Sequence, residues 1–190
     1  MSDLDPLFPV FLKLRGRRVL LVGGGPVALE KATLLRRAEA DVLAVSPSFV
    51  DGFGALGVTR ERRPFSPADL DSAWLVVSAA TPEVNRAVRS AADARRIFVL
   101  AVDDTSTANA YGAALVEKGG VTFAISTAGH APALARLLRE GLERVLPDDL
   151  AAWTETARKE RVRWKEQQVP FSARRGLLFM ALRDLYGGAS

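Results

Sequence analysis

Cysteine is absent from the 190-residue chain, and histidine occurs once. The first absence excludes disulfides, thiolate metal sites and cysteine nucleophiles. Together the two speak against a zinc centre, which draws on thiolate and imidazole ligands, and no metal-ligating set is assigned. No apolar run reaches the roughly 18 residues that a membrane-spanning helix needs, because charges interrupt each one. The chain opens with Ser2, Asp3 and Asp5 and lacks a basic stretch ahead of its apolar residues, so it does not read as a signal peptide. The expectation is a cytoplasmic protein with no membrane association. A strong charge of one sign is also missing: the formal net charge is +4, and acids are interspersed throughout. Without a basic stripe interleaved with aromatics, nucleic acid is not expected as a partner. Twenty-one of the twenty-six cationic residues are arginine, whose planar fork suits carboxylates and phosphates. An anionic small molecule therefore stays open as a ligand.

What is present is an alternation. Short apolar runs at 19–22, 42–45, 74–79 and 97–102, with a weaker one at 58–61, alternate with helical patterns at 27–37 and 82–94. Strands of that kind, buried on both faces and separated by helices, predict a doubly wound α/β domain with a parallel sheet. Ser66-Pro67 resembles a capped helical start. Beyond Asp104 the pattern changes. Residues 113–117 read as a short helix, Gly119-Gly120 as a turn, and 121–126 as a strand that extends or leaves the first sheet. An amphipathic helix begins at Pro132 and is interrupted at Pro147. Residues 148–168 form a charged helix with Leu150, Trp153, Ala157 and Trp164 on one stripe, completed by the aliphatic stem of Arg161. A last helix is expected from Ala173 to Tyr186.

Gly23-x-Gly25-x-x-Ala28 follows a strand and opens a helix, which is the context of a dinucleotide fingerprint. Gly23 allows the tight turn, Gly25 lets backbone approach a pyrophosphate, and Ala28 lets helix and sheet pack closely. The helix N-terminus offers free N–H groups to the phosphates. The alternative is a purely structural turn. A dinucleotide site commonly has an acidic residue on the ribose about 20 residues further on. Here the second strand ends at Val45-Ser46-Pro47. Ser46 remains able to bond a ribose hydroxyl, and no arginine adjoins it in the sequence to favour a 2′-phosphate, so NAD is preferred over NADP.

Asp103 and Asp104 follow the fifth strand, at the sheet edge where ligands of open α/β sheets sit. Asp103 is a candidate general base, with a turn or helix-capping role equally open. His130 stands in the small polar loop Ser126, Thr127, Gly129 before Pro132, open to acid–base work, to loop contact with an anion or to a surface role. No second base adjoins Ser126 or Thr127, so a hydrolase triad is unsupported.

Residues 8–14 and 19–32, then 71–81, Val84-Asn85-Arg86, 101–103 and above all 123–140 resemble the siroheme synthase dehydrogenase family, the stand-alone precorrin-2 dehydrogenases and bifunctional dehydrogenase/ferrochelatases. The resemblance covers about 140 residues. Arg174-Arg175 falls where the family carries a basic pair near its end. It implies a Rossmann-like NAD-binding domain over 1–112, a dimerisation segment over 113–142, a helical domain over 143–190, and a homodimer. The implied reaction is NAD-dependent oxidation of precorrin-2, an anionic tetrapyrrole, to sirohydrochlorin. Some members also insert Fe²⁺, so iron enters only as a candidate substrate. No methyltransferase domain is expected.

The family aspartate corresponds to Asp103. Cofactor contacts would come from Gly23, Gly24, Gly25, Pro26, Val27, Ser46, Ala79, Ala80 and Thr81. Substrate contacts would come from Ser126, Thr127, Gly129, His130, Arg136, Arg139, Arg174 and Arg175. Three positions depart from the family pattern: Leu100 replaces a frequent asparagine, and Ala110 and Ala113 replace Phe and Pro. Those departures motivate two alternatives, a non-catalytic or regulatory dinucleotide-binding dimer and a dehydrogenase of another tetrapyrrole.

Overall fold

The computed structural model describes residues 6–102 and 106–187, and Asp103 and Asp104 lie outside them. They form two compact units, one running through Gly112 and including Ala128–His130, the other made of Ala113–Thr127 and the residues from Ala131 on.

In the first unit β1 (Arg18–Val22) is the central strand of a five-stranded parallel sheet. It is flanked by β2 (Asp41–Val45) and β4 (Leu75–Ser78), with β3 (Thr59–Glu61) and β5 (Phe98–Ala101) at the edges. Neighbours cover β1 on both sides, which is why its Val19 to Val22 form an uninterrupted apolar run, all buried. Period-two alternation along that run divides the core. Val19 and Leu21 face α1 (Pro26–Arg37), where Ala28, Ala32 and Leu35 close over Val42, Ala44 and Val77. Leu20 and Val22 join Val45, Val76 and Val99 under Val88 and Ala92 of α2 (Pro82–Asp93). Each fully buried Val or Leu contributes about 1.5–3 kcal/mol relative to exposure. This is the doubly wound sheet that the strand–helix alternation predicts.

Register sets the functional edge. Val22 pairs with Val45 on one side and with Ser78 on the other. The chain therefore leaves three neighbouring strands at one level, into Gly23, Ser46 and Ala79. Between β3 and β4 a 3₁₀ turn, Pro67–Leu70, is anchored by the Asp69 carboxylate, which accepts from the Ser66 N–H at 2.8 Å. The fully buried Leu70 fastens it to the core.

The second unit corrects one expectation. Residues 113–117 are not helical; β6 (Ala114–Lys118) pairs antiparallel with β7 (Val121–Ile125) in a sheet of their own. Gly119 and Gly120 both have positive φ, 58° and 78°, which makes the two-residue hairpin turn that twisted strands favour. A run of five residues is too short for apolar periodicity to separate helix from strand, and the glycine pair decides it. On the hairpin pack α3 (Pro132–Val145) and the start of α4 (Leu150–Glu166). The Thr154 hydroxyl donates to the Gly119 carbonyl at 2.7 Å, and Lys118 Nζ reaches Asp148 at 2.8 Å.

A second correction concerns α4. Arg161 is exposed, and the stripe passes instead through the half-buried Glu160, in the repeat Leu150, Trp153, Ala157, Glu160, Trp164. Steps of three and four alternate there, so the next step after Ala157 is three. Helix α5 (Phe171–Asp184) follows. Among the described residues no helix is long and apolar enough to cross a membrane.

Candidate dinucleotide-binding site

The turn after β1 is glycine for reasons of space as well as conformation. Gly23 has φ 131°, and a Cβ there would lie 2.2 Å from the Ala79 carbonyl oxygen. Its N–H donates to Val45 O at 3.0 Å while Ala79 N–H donates to Val22 O at 2.8 Å, so the crossing is fixed from both sides. At Gly24 a Cβ would fall 1.9 Å from Ser48 O and 2.9 Å from Ser46 Oγ. Gly25 differs from both: a Cβ there would meet nothing within 4 Å.

Gly25 is also the N-cap of α1. No side chain caps that end, the first helical residue is Pro26, and the first turn holds no acid. The first N–H groups and the positive end of the helix dipole therefore face open space, which fits a phosphate. The N-terminus of α2, one strand away, differs. Thr81 is its N-cap and Glu83 stands in its first turn. Hydrogen bonds from its own backbone N–H and then from the Thr81 hydroxyl hold the Glu83 carboxyl below the usual carboxylate range. That helix end already has its anion, whereas the end of α1 is free to take one from a ligand.

Two clefts open beside this turn. The first, of about 600 Å³, is lined by Gly23, Gly24, Gly25, Ser46, Ala79, Ala80 and Thr81, with Pro47, Pro64, Phe65, Val84 and Ala87 adding an apolar wall. The second, of about 520 Å³, is lined by Val27, Ala79, Ala80, Pro82, Asn85, Arg86, Val102 and Ser106. Ala79 and Ala80 belong to both. Of the expected cofactor contacts only Pro26 lines neither; it stands at the first position of α1, where its missing N–H costs nothing. Asp103 lies outside the described residues, directly after Val102 in the sequence.

Asn85 is a residue whose role the sequence analysis missed. It is buried, and its Oδ1 accepts from the Ser78 hydroxyl at 2.6 Å and from the Ala80 N–H at 3.2 Å. Those bonds hold the β4–α2 loop that forms the shared wall of both clefts. The only signal in the sequence was the short Val84-Asn85-Arg86 stretch.

The expected substrate contacts are placed as follows. Thr127 Oγ1 accepts from the Ala131 N–H at 3.2 Å, and Gly129, at φ 78°, and His130 are exposed. Ser126 is exposed too. On α3, Arg136 donates to Glu140 at 3.2 Å and Arg139 to Glu143 at 2.6 Å. Such one-turn surface pairs contribute about 0.3–0.5 kcal/mol and are readily exchanged for a ligand carboxylate. Arg174 donates to the Val169 carbonyl at 3.0 Å, and Arg175 is exposed. Leu100 packs against the α1-side core and forms an isolated bridge with Ala110, and Ala113 is exposed.

A family model described as Putative NAD(P)-binding matches residues 10–114. A siroheme synthase of Photorhabdus laumondii subsp. laumondii is 40% identical over 172 residues, covering 88% of this chain and 37% of that protein. One of Escherichia coli O139:H28 is 39% identical over 172 residues, covering 88% of this chain and 38% of that protein. The chain thus spans well under half the length of these curated relatives. Among solved structures, SirC, precorrin-2 dehydrogenase, superposes with a TM-score of 0.75 at 24% identity, covering 95% of this chain and 92% of that one. The two share a fold.

Proposed function

Because this chain belongs to the siroheme synthase dehydrogenase family, within the NAD(P)-binding proteins, we propose that it oxidises precorrin-2 to sirohydrochlorin with NAD as acceptor. The observation that supports this reading best is the open, uncapped N-terminus of α1 at Gly25, set between two clefts that share the Ala79–Ala80 wall. Gly23 and Gly24 bring the backbone close enough for the phosphates, and Ser46 bonds the ribose. Bound NAD supplies a hydride acceptor for the macrocycle. The oxidation also releases a proton, and Asp103 is the carboxylate we assign to receive it. Arg136, Arg139, Arg174 and Arg175 position the carboxylates of the tetrapyrrole, with Ser126, Thr127, Gly129 and His130 as loop contacts.

The same reading makes the protein a cytoplasmic homodimer, with 113–142 as dimerisation segment and 143–190 as helical domain. Exposed Leu134, Leu137 and Leu138 on α3 support an apolar interface there. Fe²⁺ enters only as a second substrate, after dehydrogenation.

One observation favours a non-catalytic dinucleotide-binding dimer instead: Leu100, in the strand leading to Asp103, is apolar and bridges Ala110, so neither position offers a polar side chain. Anaerobic incubation with precorrin-2 and NAD decides between them. Formation of NADH together with sirohydrochlorin supports the dehydrogenase. Bound NAD that is never reduced supports the non-catalytic dimer, unless another reduced tetrapyrrole is oxidised in its place.

A further inference from the structure

We propose that Arg63 is a positioning residue for the cofactor: it holds Pro64 and Phe65 as the wall on which the adenosine half lies, and through them it sets NAD affinity. The proposal deepens the dinucleotide reading of the first cleft and rests on it. Pro64 and Phe65 line that cleft together with Gly24 and Ser46. An apolar wall beside the residue that bonds the ribose suits the flat face of a base.

The wall belongs to the short segment between β3 and the 3₁₀ turn, whose two ends are fixed. At the first end Val45 pairs with Glu61, and the Ser46 N–H donates to Glu61 O at 3.2 Å. At the other end Leu70 is fully buried in the α2-side core. Between them the Arg63 N–H turns back to Glu61 O at 3.1 Å, and Pro64 has no N–H to give. Phe65 is half-buried, packed on the α2-side core and turned partly to the cleft.

The Arg63 guanidinium spans this segment. Its Nε donates to the Glu61 carboxylate at 2.7 Å and its Nη1 to Pro64 O at 3.0 Å. Its two Nη atoms meet the two Asp69 carboxylate oxygens at 2.9 and 2.5 Å. Asp69 in turn accepts the Ser66 N–H at 2.8 Å, so one cation joins the end of β3, the wall and the 3₁₀ turn. A rigid fork makes these bonds at once, which a lysine ammonium cannot reproduce. The Asp69 side chain is 7% exposed and the contact is bidentate, which sets it apart from the weak one-turn pairs on α3. With the fork removed, Pro64 and Phe65 lose their tie to the fixed ends, and NAD must order them as it binds.

Calorimetric NAD titration of the full-length chain tests this in a double-mutant cycle. Arg63→Met keeps the aliphatic stem and loses the fork; it is combined with Phe65→Ala. Ordering a freed wall should weaken NAD about tenfold in Arg63→Met at unchanged stoichiometry. Phe65→Ala should weaken NAD comparably. In the Phe65→Ala background the arginine change should add less than about twofold, because it acts through that ring. Thermal melts set a temperature at which every variant is folded, and Arg63→Lys carries the same cycle, with a smaller loss, if Arg63→Met does not fold. A role confined to stability predicts a lower Tm with the NAD affinity of the folded protein unchanged, and that result overturns the proposal. Additive losses from the two changes overturn it as well. If folded wild type binds no NAD, the dinucleotide reading itself fails and takes this one with it.

Discussion

Alanine at Gly23 and alanine at Gly25, two residues apart, should produce opposite defects. At Gly23 the new Cβ would lie 2.2 Å from Ala79 O and 2.9 Å from Ala79 C, in a backbone with φ 131°. The conformation alone costs about 1–3 kcal/mol, and overpacking against fixed backbone adds about 1–3 kcal/mol. The sum, about 2–6 kcal/mol, is a large fraction of the roughly 5–15 kcal/mol that stabilises a domain. With a urea slope of about 1–3 kcal/mol per molar, the unfolding midpoint should fall by about 1 M or more. At Gly25 the Cβ meets nothing within 4 Å, and φ is −80°. Only the poorer N-cap remains, a cost of about 1 kcal/mol or less. The methyl would stand where a pyrophosphate approaches the helix end, and losing one charge-assisted bond of about 1.5–3 kcal/mol weakens NAD at least about tenfold. Urea denaturation and calorimetric NAD titration on both variants read the two effects separately. Wild-type NAD affinity in Gly25→Ala would refute the phosphate cradle, and wild-type stability in Gly23→Ala would refute the close strand crossing.

Asn85→Leu should destabilise the first unit by about 1–3 kcal/mol, because the Ser78 hydroxyl and Ala80 N–H lose their buried acceptor. NAD affinity should fall with it, and an unchanged denaturation midpoint would count against the role assigned to Asn85. Burial pushes the Asp69 carboxyl up, but the Arg63 and Ser66 hydrogen bonds outweigh it and hold the group below its ordinary value. Its contribution is therefore complete above the unfolded-state value and lost as pH falls through the lower folded value. Asp69→Asn should flatten the acid limb of Tm against pH; an unaltered limb contradicts the assignment. Replacing Arg136 and Arg139 together by alanine should leave Tm within about 2–4 °C, since each replaces only a weak surface pair. It should raise the KM for the tetrapyrrole more than it lowers kcat, and an unchanged KM would remove both residues from the substrate site.

The first unit was legible because each of its signals is local. Val19 to Val22 is apolar throughout, Gly23 and Gly25 punctuate it, and Pro26 and Pro82 mark helix starts, so the parallel sheet and its ligand edge follow from the alternation. The misread pieces depend on pairing. Residues 114–118 became a strand because β7 lies beside them, and Glu160 rather than Arg161 faces inward because of what α4 packs against. Asn85 was visible as part of a short motif, but its task is defined by Ser78 and Ala80, which it meets only once β4 and α2 are folded together.

The most direct test measures NAD affinity and anaerobic precorrin-2 oxidation side by side in wild type and Asp103→Ala. Wild type should form NADH and sirohydrochlorin, and the variant should bind NAD within about twofold while losing about 100-fold or more in turnover, the scale of a missing proton acceptor. A folded wild type that binds NAD and never reduces it, with precorrin-2 present, would contradict the account at its centre.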